Sequence, residues 1–132
     1  MSTVFADTFY WIAFTLPREA AYAQAQSVTD NIVTTEEVLG EYLTFFSRAP
    51  EHLRRRAGMT VKTILTDSKV RVIPQSHESF MLGLDLYLAR ADKGYSLIDC
   101  ISMQTMEREG LKEVLTNDKH FEQEGFRALF RA

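Results

Sequence analysis

The chain has 132 residues, 45% of them hydrophobic and 25% charged, the size at which one domain over residues 1–132 with one core is expected, because two domains would each be too small. A formal net charge of −3 excludes a protein that binds nucleic acid merely by being basic, although two bound divalent cations would carry that charge to +1. The single cysteine, Cys100, excludes an internal disulfide and has no partners at zinc-site spacing. With no signal-peptide pattern and no bilayer-length apolar run, the expectation is a soluble cytoplasmic protein without a membrane partner.

Short apolar runs alternate with amphipathic ones, without repeats or linkers. Thr3 to Ala6 reads as a buried parallel strand that ends at Asp7. Two helices follow, over Phe9 to Phe14 and over Pro17 to Ser27, the second with proline at its first position. Asn31 to Thr34 predicts a second strand, and Val38, Leu39, Tyr42, Leu43 and Phe46 then repeat at helical spacing as a core-facing stripe. Another helix runs from Pro50 to about Thr66, and Val70 to Ile73 is a third strand before Pro74. Phe80, Leu84, Leu88 and Ala91 mark a long helix that Gly94 can end in a left-handed cap. A helix over Leu97 to Glu109 stops at Gly110. Glu113 to Thr116 is a strand running into Asn117-Asp118, and Phe126 to Phe130 a short last one. Strands separated by helices imply an α/β sandwich with a parallel sheet.

Four acids then stand out. Asp7 and Asp118 close apolar strands, where parallel sheets bind ligands, although each could equally cap the turn that follows it. Glu41 lies at the border of an apolar stripe, where a carboxylate needs a partner, and Glu37 one turn earlier would repel it. Thr34-x-x-Glu37 also fits a capping box, as does Ser96-x-x-Asp99. Capping alone would account for Asp99. Acids from separate elements meeting at one sheet edge would repel strongly, however, unless they shared oxygen-seeking cations such as Mg²⁺ or Mn²⁺.

The stretches Asp92-Lys-Gly-Tyr-Ser-Leu-Ile-Asp99-Cys100, Leu115-Thr-Asn-Asp118-Lys-His-Phe121 and Gly125-Phe126 resemble the signature of PIN-domain nucleases. The blocks Phe5-Ala-Asp7-Thr-Phe-Tyr-Trp-Ile-Ala13 and Thr34-Thr-Glu-Glu-Val-Leu-Gly-Glu41 match in order, so the similarity spans nearly the whole chain; it is greatest to VapC-type toxins of bacterial toxin–antitoxin pairs and their stand-alone relatives. The resemblance implies a three-layer α/β/α sandwich around a central parallel sheet. It also implies a Mg²⁺- or Mn²⁺-dependent endoribonuclease whose catalytic and metal-binding residues are Asp7, Glu41, Asp99 and Asp118, supported by Thr8 and Asn117. RNA is the implied substrate, a small antitoxin protein the implied partner and a homodimer the implied assembly. Ile98 departs from the threonine often found there, and residues 47–67 match weakly.

Such a site needs no side-chain nucleophile, because metal ions polarise the phosphate and activate water. His120 reads as a packing or loop residue beside the last strand, with general-base catalysis the minority reading, and Cys100 as a buried apolar filler. Arg54, Arg55, Arg56, Lys62 and Lys119 could contact RNA phosphates, although a solvated helix face is the favoured reading, and Arg18 and Lys93 could flank the acids. Phe9, Tyr10, Trp11 and Phe14 fit core packing or a dimer surface better than base stacking. A phosphate-accepting receiver would need an acceptor Asp where Val70 to Ile73 instead runs into Pro74, and a haloacid-dehalogenase-like phosphatase would need a second Asp where Phe9 stands. The alternative that survives is a PIN-like module that binds RNA or protein without cutting.

Overall fold

The computed structural model describes residues 2–131; the two end residues of the expected 1–132 domain lie outside the described residues. The elements, in chain order, are β1 (Thr3–Ala6), α1 (Thr8–Thr15), α2 (Tyr22–Gln26), β2 (Asn31–Thr35), α3 (Glu36–Phe45), α4 (Glu51–Thr66), β3 (Val70–Ile73), α5 (His77–Ala89), α6 (Leu97–Glu109), β4 (Glu113–Leu115), α7 (Lys119–Gln123) and β5 (Arg127–Ala128). The five strands form one sheet in the order β3-β2-β1-β4-β5, with every pairing parallel.

Strand β1 is central, and Val4, Phe5 and Ala6 are fully buried on both of its faces, which is why it reads as an unbroken apolar run. Burying a Val or Phe side chain is worth about 1.5–3 kcal/mol, so this strand anchors the core. The chain steps outward from β1 through β2 to β3, then returns to place β4 on the other side of β1. Right-handed crossovers put α1–α4 on one face and α5–α7 on the other. The reversal between β1 and β4 opens a crevice at the carboxyl ends of these strands, the usual ligand position in such sheets.

Helices α5 and α6 are the most extensively packed helix pair, and Gly83 lets them approach closely at Ile101. A Cβ on Gly83 would lie 2.4 Å from Ile101 Cγ1 and 3.3 Å from its backbone nitrogen. Helix α6 is closed by Ser96 at its start and by Gly110 at its end, in the left-handed conformation at φ +69°, so its bounds are those expected from the sequence.

Several expectations are corrected. Residues 17–21 do not begin a helix at Pro17; they make successive turns (Glu19 N to Leu16 O and Tyr22 N to Glu19 O, both 3.0 Å), and α2 starts only at Tyr22. Leu43 is left 38% exposed beside the buried Val38, Leu39, Tyr42 and Phe46. Helix α5 ends at Ala89 rather than running to Gly94: Arg90 leaves the helical region and its guanidinium reaches Glu124, while Gly94 takes a positive φ in the loop beyond. The last strand is only Arg127–Ala128, and one-turn α7 was not expected at all. No helix among the described residues is long and apolar enough to cross a membrane.

Candidate active site

Asp7 follows the last residue of β1 and is 7% exposed. It occupies the position before α1, yet its side chain makes no capping hydrogen bond, so turn capping does not explain it. Instead Thr116 Oγ1 donates to Asp7 Oδ2 at 3.0 Å. The pairing of Phe5 with Val114 and of Ala6 with Leu115 brings the two together, since one further step along parallel strands sets Asp7 beside Thr116. The same hydroxyl accepts from the backbone N–H of Asp118 at 3.2 Å, so one buried threonine ties both strand-end acids.

Glu41 is half-buried on α3, and Thr8 Oγ1, from the first turn of α1, donates to its Oε1. The expected Thr34–Glu37 capping box is displaced by one residue: Thr35 is the cap, accepting from Val38 N at 3.1 Å, while the Thr34 hydroxyl is spent on Ala6 O at 2.9 Å. Glu37 therefore has no capping role.

Asp99 does cap α6. Its N–H donates to Ser96 Oγ and its Oδ2 accepts from Ser96 N, both at 3.0 Å, which is the box expected from the sequence. Capping uses Oδ2 and leaves Oδ1 free. Asp118 likewise caps α7, accepting from His120 N at 2.9 Å. Because α7 starts immediately after Asp118, its first turn swings the His120 ring back onto the acids. His120 Nδ1 lies 3.3 Å from Asp118 Oδ1 and 3.8 Å from Asp99 Oδ2. It is buried and hydrogen-bonds to neither. Asp99, Asp118 and His120 each present a donor atom within 4.8 Å of the others, a spacing that one cation could bridge.

His120 is the residue that sequence reasoning undervalued. The signal was an Asp-x-His pair directly after an apolar strand, which becomes informative only if the Asp starts a helix.

Burial is the main cause of the Asp7 carboxyl's rise to about 7, reinforced by the negative charges of Asp99 and Glu41 and opposed by hydrogen bonds from Thr8 N and Thr116. Asp99 is also raised, by burial first and then by Asp118, against the pull of Ser96 and His120. The acids thus crowd one another, and among the described residues their one basic contact is His120. A divalent cation fits this donor set: oxygen-rich, mutually repelling and including a buried nitrogen without a partner.

The other candidates stand apart from these contacts. The Asn117 side chain is exposed and makes no hydrogen bond among the described residues, and Lys119 is exposed on α7. Arg54 donates to Ser47 O at 2.8 Å, and Arg55 pairs with Glu51 at 3.0 Å on the solvated face of α4. Cys100 is fully buried, as are Tyr10 and Trp11, nearly so; Phe9 and Phe14 are half-buried. A cavity of about 150 Å³ between Tyr10, Trp11, Ile64 and Val70 lies by the starts of β2 and β3, away from the acids.

The PIN domain family model matches residues 4–126, nearly the full chain. This protein belongs to the PIN domain family. Its fold is similar to that of Mycobacterium tuberculosis VapC20, a toxin that cleaves the sarcin–ricin loop, with a TM-score of 0.79 and 26% identity over 93% of this chain and 95% of that one. No curated protein sequence matches the chain.

Proposed function

We propose that this chain acts as one PIN domain, a divalent-metal-dependent endoribonuclease of the VapC toxin type, with Asp7, Glu41, Asp99 and Asp118 as the residues that hold the metal and carry catalysis. The observation that supports this most is the crowding of the acids: Asp7, nearly buried, is raised to about 7 by its burial and by Asp99 and Glu41, a repulsion that Mg²⁺ or Mn²⁺ would relieve. When bound, the cation supplies Lewis acidity toward a phosphate oxygen and an attacking water.

The chain's own part is orientation. Thr116 fixes Asp7, Thr8 fixes Glu41, and the Ser96 backbone fixes Asp99, so that three carboxylates are set before any ligand arrives. An open groove is lined by Glu37, Gly40, Gln75, Phe80 and Ile98, chain neighbours of Glu41 and Asp99 among them, and we assign it as a path for the RNA. Arg54, Arg55, Arg56 and Lys119 are assigned to phosphate contacts, Asn117 to a supporting role, a small antitoxin to the partner and a homodimer to the assembly.

The test is incubation of purified protein with a panel of structured and single-stranded RNAs in Mn²⁺ and in Mg²⁺. Cleavage abolished by chelator and by Asp7→Asn is the expected result. A panel left uncut in both metals would pass the role to a PIN-like module that binds without cutting.

A further inference from the structure

We infer that His120 presents its imidazole Nδ1 to the same cation as Asp99 and Asp118, giving the site a nitrogen ligand and with it a preference for Mn²⁺ over Mg²⁺. This rests on the metal-site reading proposed above.

The geometry carries the inference. Nδ1 is buried, lies 3.3 Å from Asp118 Oδ1 and 3.8 Å from Asp99 Oδ2, and forms a hydrogen bond with neither. A buried ring nitrogen without a partner is costly unless something else occupies its lone pair. Were the ring there to neutralise the acids as an imidazolium, its N–H would point at one of them. Neighbouring ligands on a six-coordinate ion with bonds of about 2.1 Å sit roughly 3 Å apart, close to the shorter separation here.

The ring is also held from behind. Tyr95 packs against it with ring centres 5.4 Å apart, and Tyr95 OH donates to Glu124 Oε1 at 3.0 Å. Arg90 donates to the same carboxylate through Nε and Nη2, at 3.0 and 2.9 Å. The Glu124 backbone N–H in turn reaches His120 O at 3.2 Å. On the other side of the ring, Nε2 faces Gly94, where even an added Cβ would be 4.0 Å away. Nε2 can therefore carry the proton and leave the Nδ1 lone pair to the cation.

Mg²⁺ takes oxygen ligands almost alone, whereas Mn²⁺ binds N/O sites more readily, so one imidazole shifts the balance between them.

Pulsed electron paramagnetic resonance on the Mn²⁺-loaded full chain tests this. Wild-type protein should show nitrogen modulation that changes on ¹⁵N-histidine labelling and disappears in His120→Asn, which offers an amide oxygen instead. The Mn²⁺ dissociation constant should rise about tenfold or more in that variant, and the Mg²⁺ constant, from competition, by about threefold or less. Bound Mn²⁺ without histidine-nitrogen modulation in the wild type would overturn the inference and leave the acidic site standing. Equal weakening of both metals in His120→Asn would also overturn it. A wild-type protein that binds no Mn²⁺ would overturn the inference and the site together.

Discussion

Thr116 and Asp7, 109 positions apart in the chain, are joined by a 3.0 Å hydrogen bond inside the core, and the same Thr116 hydroxyl accepts from the backbone of Asp118. Two acids are thereby registered to each other through adjacent strands rather than through a flexible loop, the precision that a shared ligand requires.

Thr116→Val keeps the shape and removes both bonds. The variant should lose about 1–3 kcal/mol, the cost of leaving buried polar groups unpaired, and Thr116→Ser should recover most of it. Urea denaturation of the metal-free proteins measures the difference.

Asp7 gives a signed pH prediction. Its folded-state carboxyl is raised to about 7, above the ordinary value near 3.8, so protonation favours the fold. That stabilisation is complete below about pH 4 and is lost as pH rises through 7, an effect bounded at about 4 kcal/mol. In chelator, Asp7→Asn should therefore melt higher than the wild type at pH 8, and the gap should narrow to less than half at pH 5. Equal differences at the two pH values would contradict the assignment. Metal binding has the opposite sign, strengthening as pH passes 7, because the cation needs the ionised form.

Gly83→Ala improves helix propensity by about 1 kcal/mol but places a Cβ against Ile101. Overpacking should dominate, with a net loss of about 1–3 kcal/mol. Ile101→Ala, which removes Cγ1, should combine with it non-additively in the same denaturation assay, the double variant losing less than the sum of the two single losses.

Much of this was legible in the sequence because the informative features are local. An apolar tetrapeptide ending in Asp gave β1 and Asp7, and Ser96-x-x-Asp99 gave the start of α6 together with its cap. The misreadings are also physical. Thr34 and Thr35 are both competent caps, and only the strand register, which spends the Thr34 hydroxyl on Ala6 O, decides between them. Pro17 suits a turn as well as a helix start. Helix α7 is five residues long, too short for any periodicity, and without it His120 could not be placed against Asp99 and Asp118.

Glu124 accepts three hydrogen bonds, two from Arg90 and one from Tyr95. Glu124→Ala should cost about 2 kcal/mol, more than an exposed ion pair, because it leaves the buried Tyr95 hydroxyl unpaired. Thermal melts against Arg90→Ala and the double variant would reveal non-additive losses.

The central claim is that a divalent cation neutralises these carboxylates jointly. Melting the wild type and Asp99→Asn across a titration of Mg²⁺ and of Mn²⁺ tests it directly. Wild-type protein should gain several degrees, as binding to the folded state stabilises by roughly 2.7 kcal/mol at a hundredfold excess over the dissociation constant, and Asp99→Asn should gain little. A wild-type melting curve that does not move under saturating metal would contradict the account.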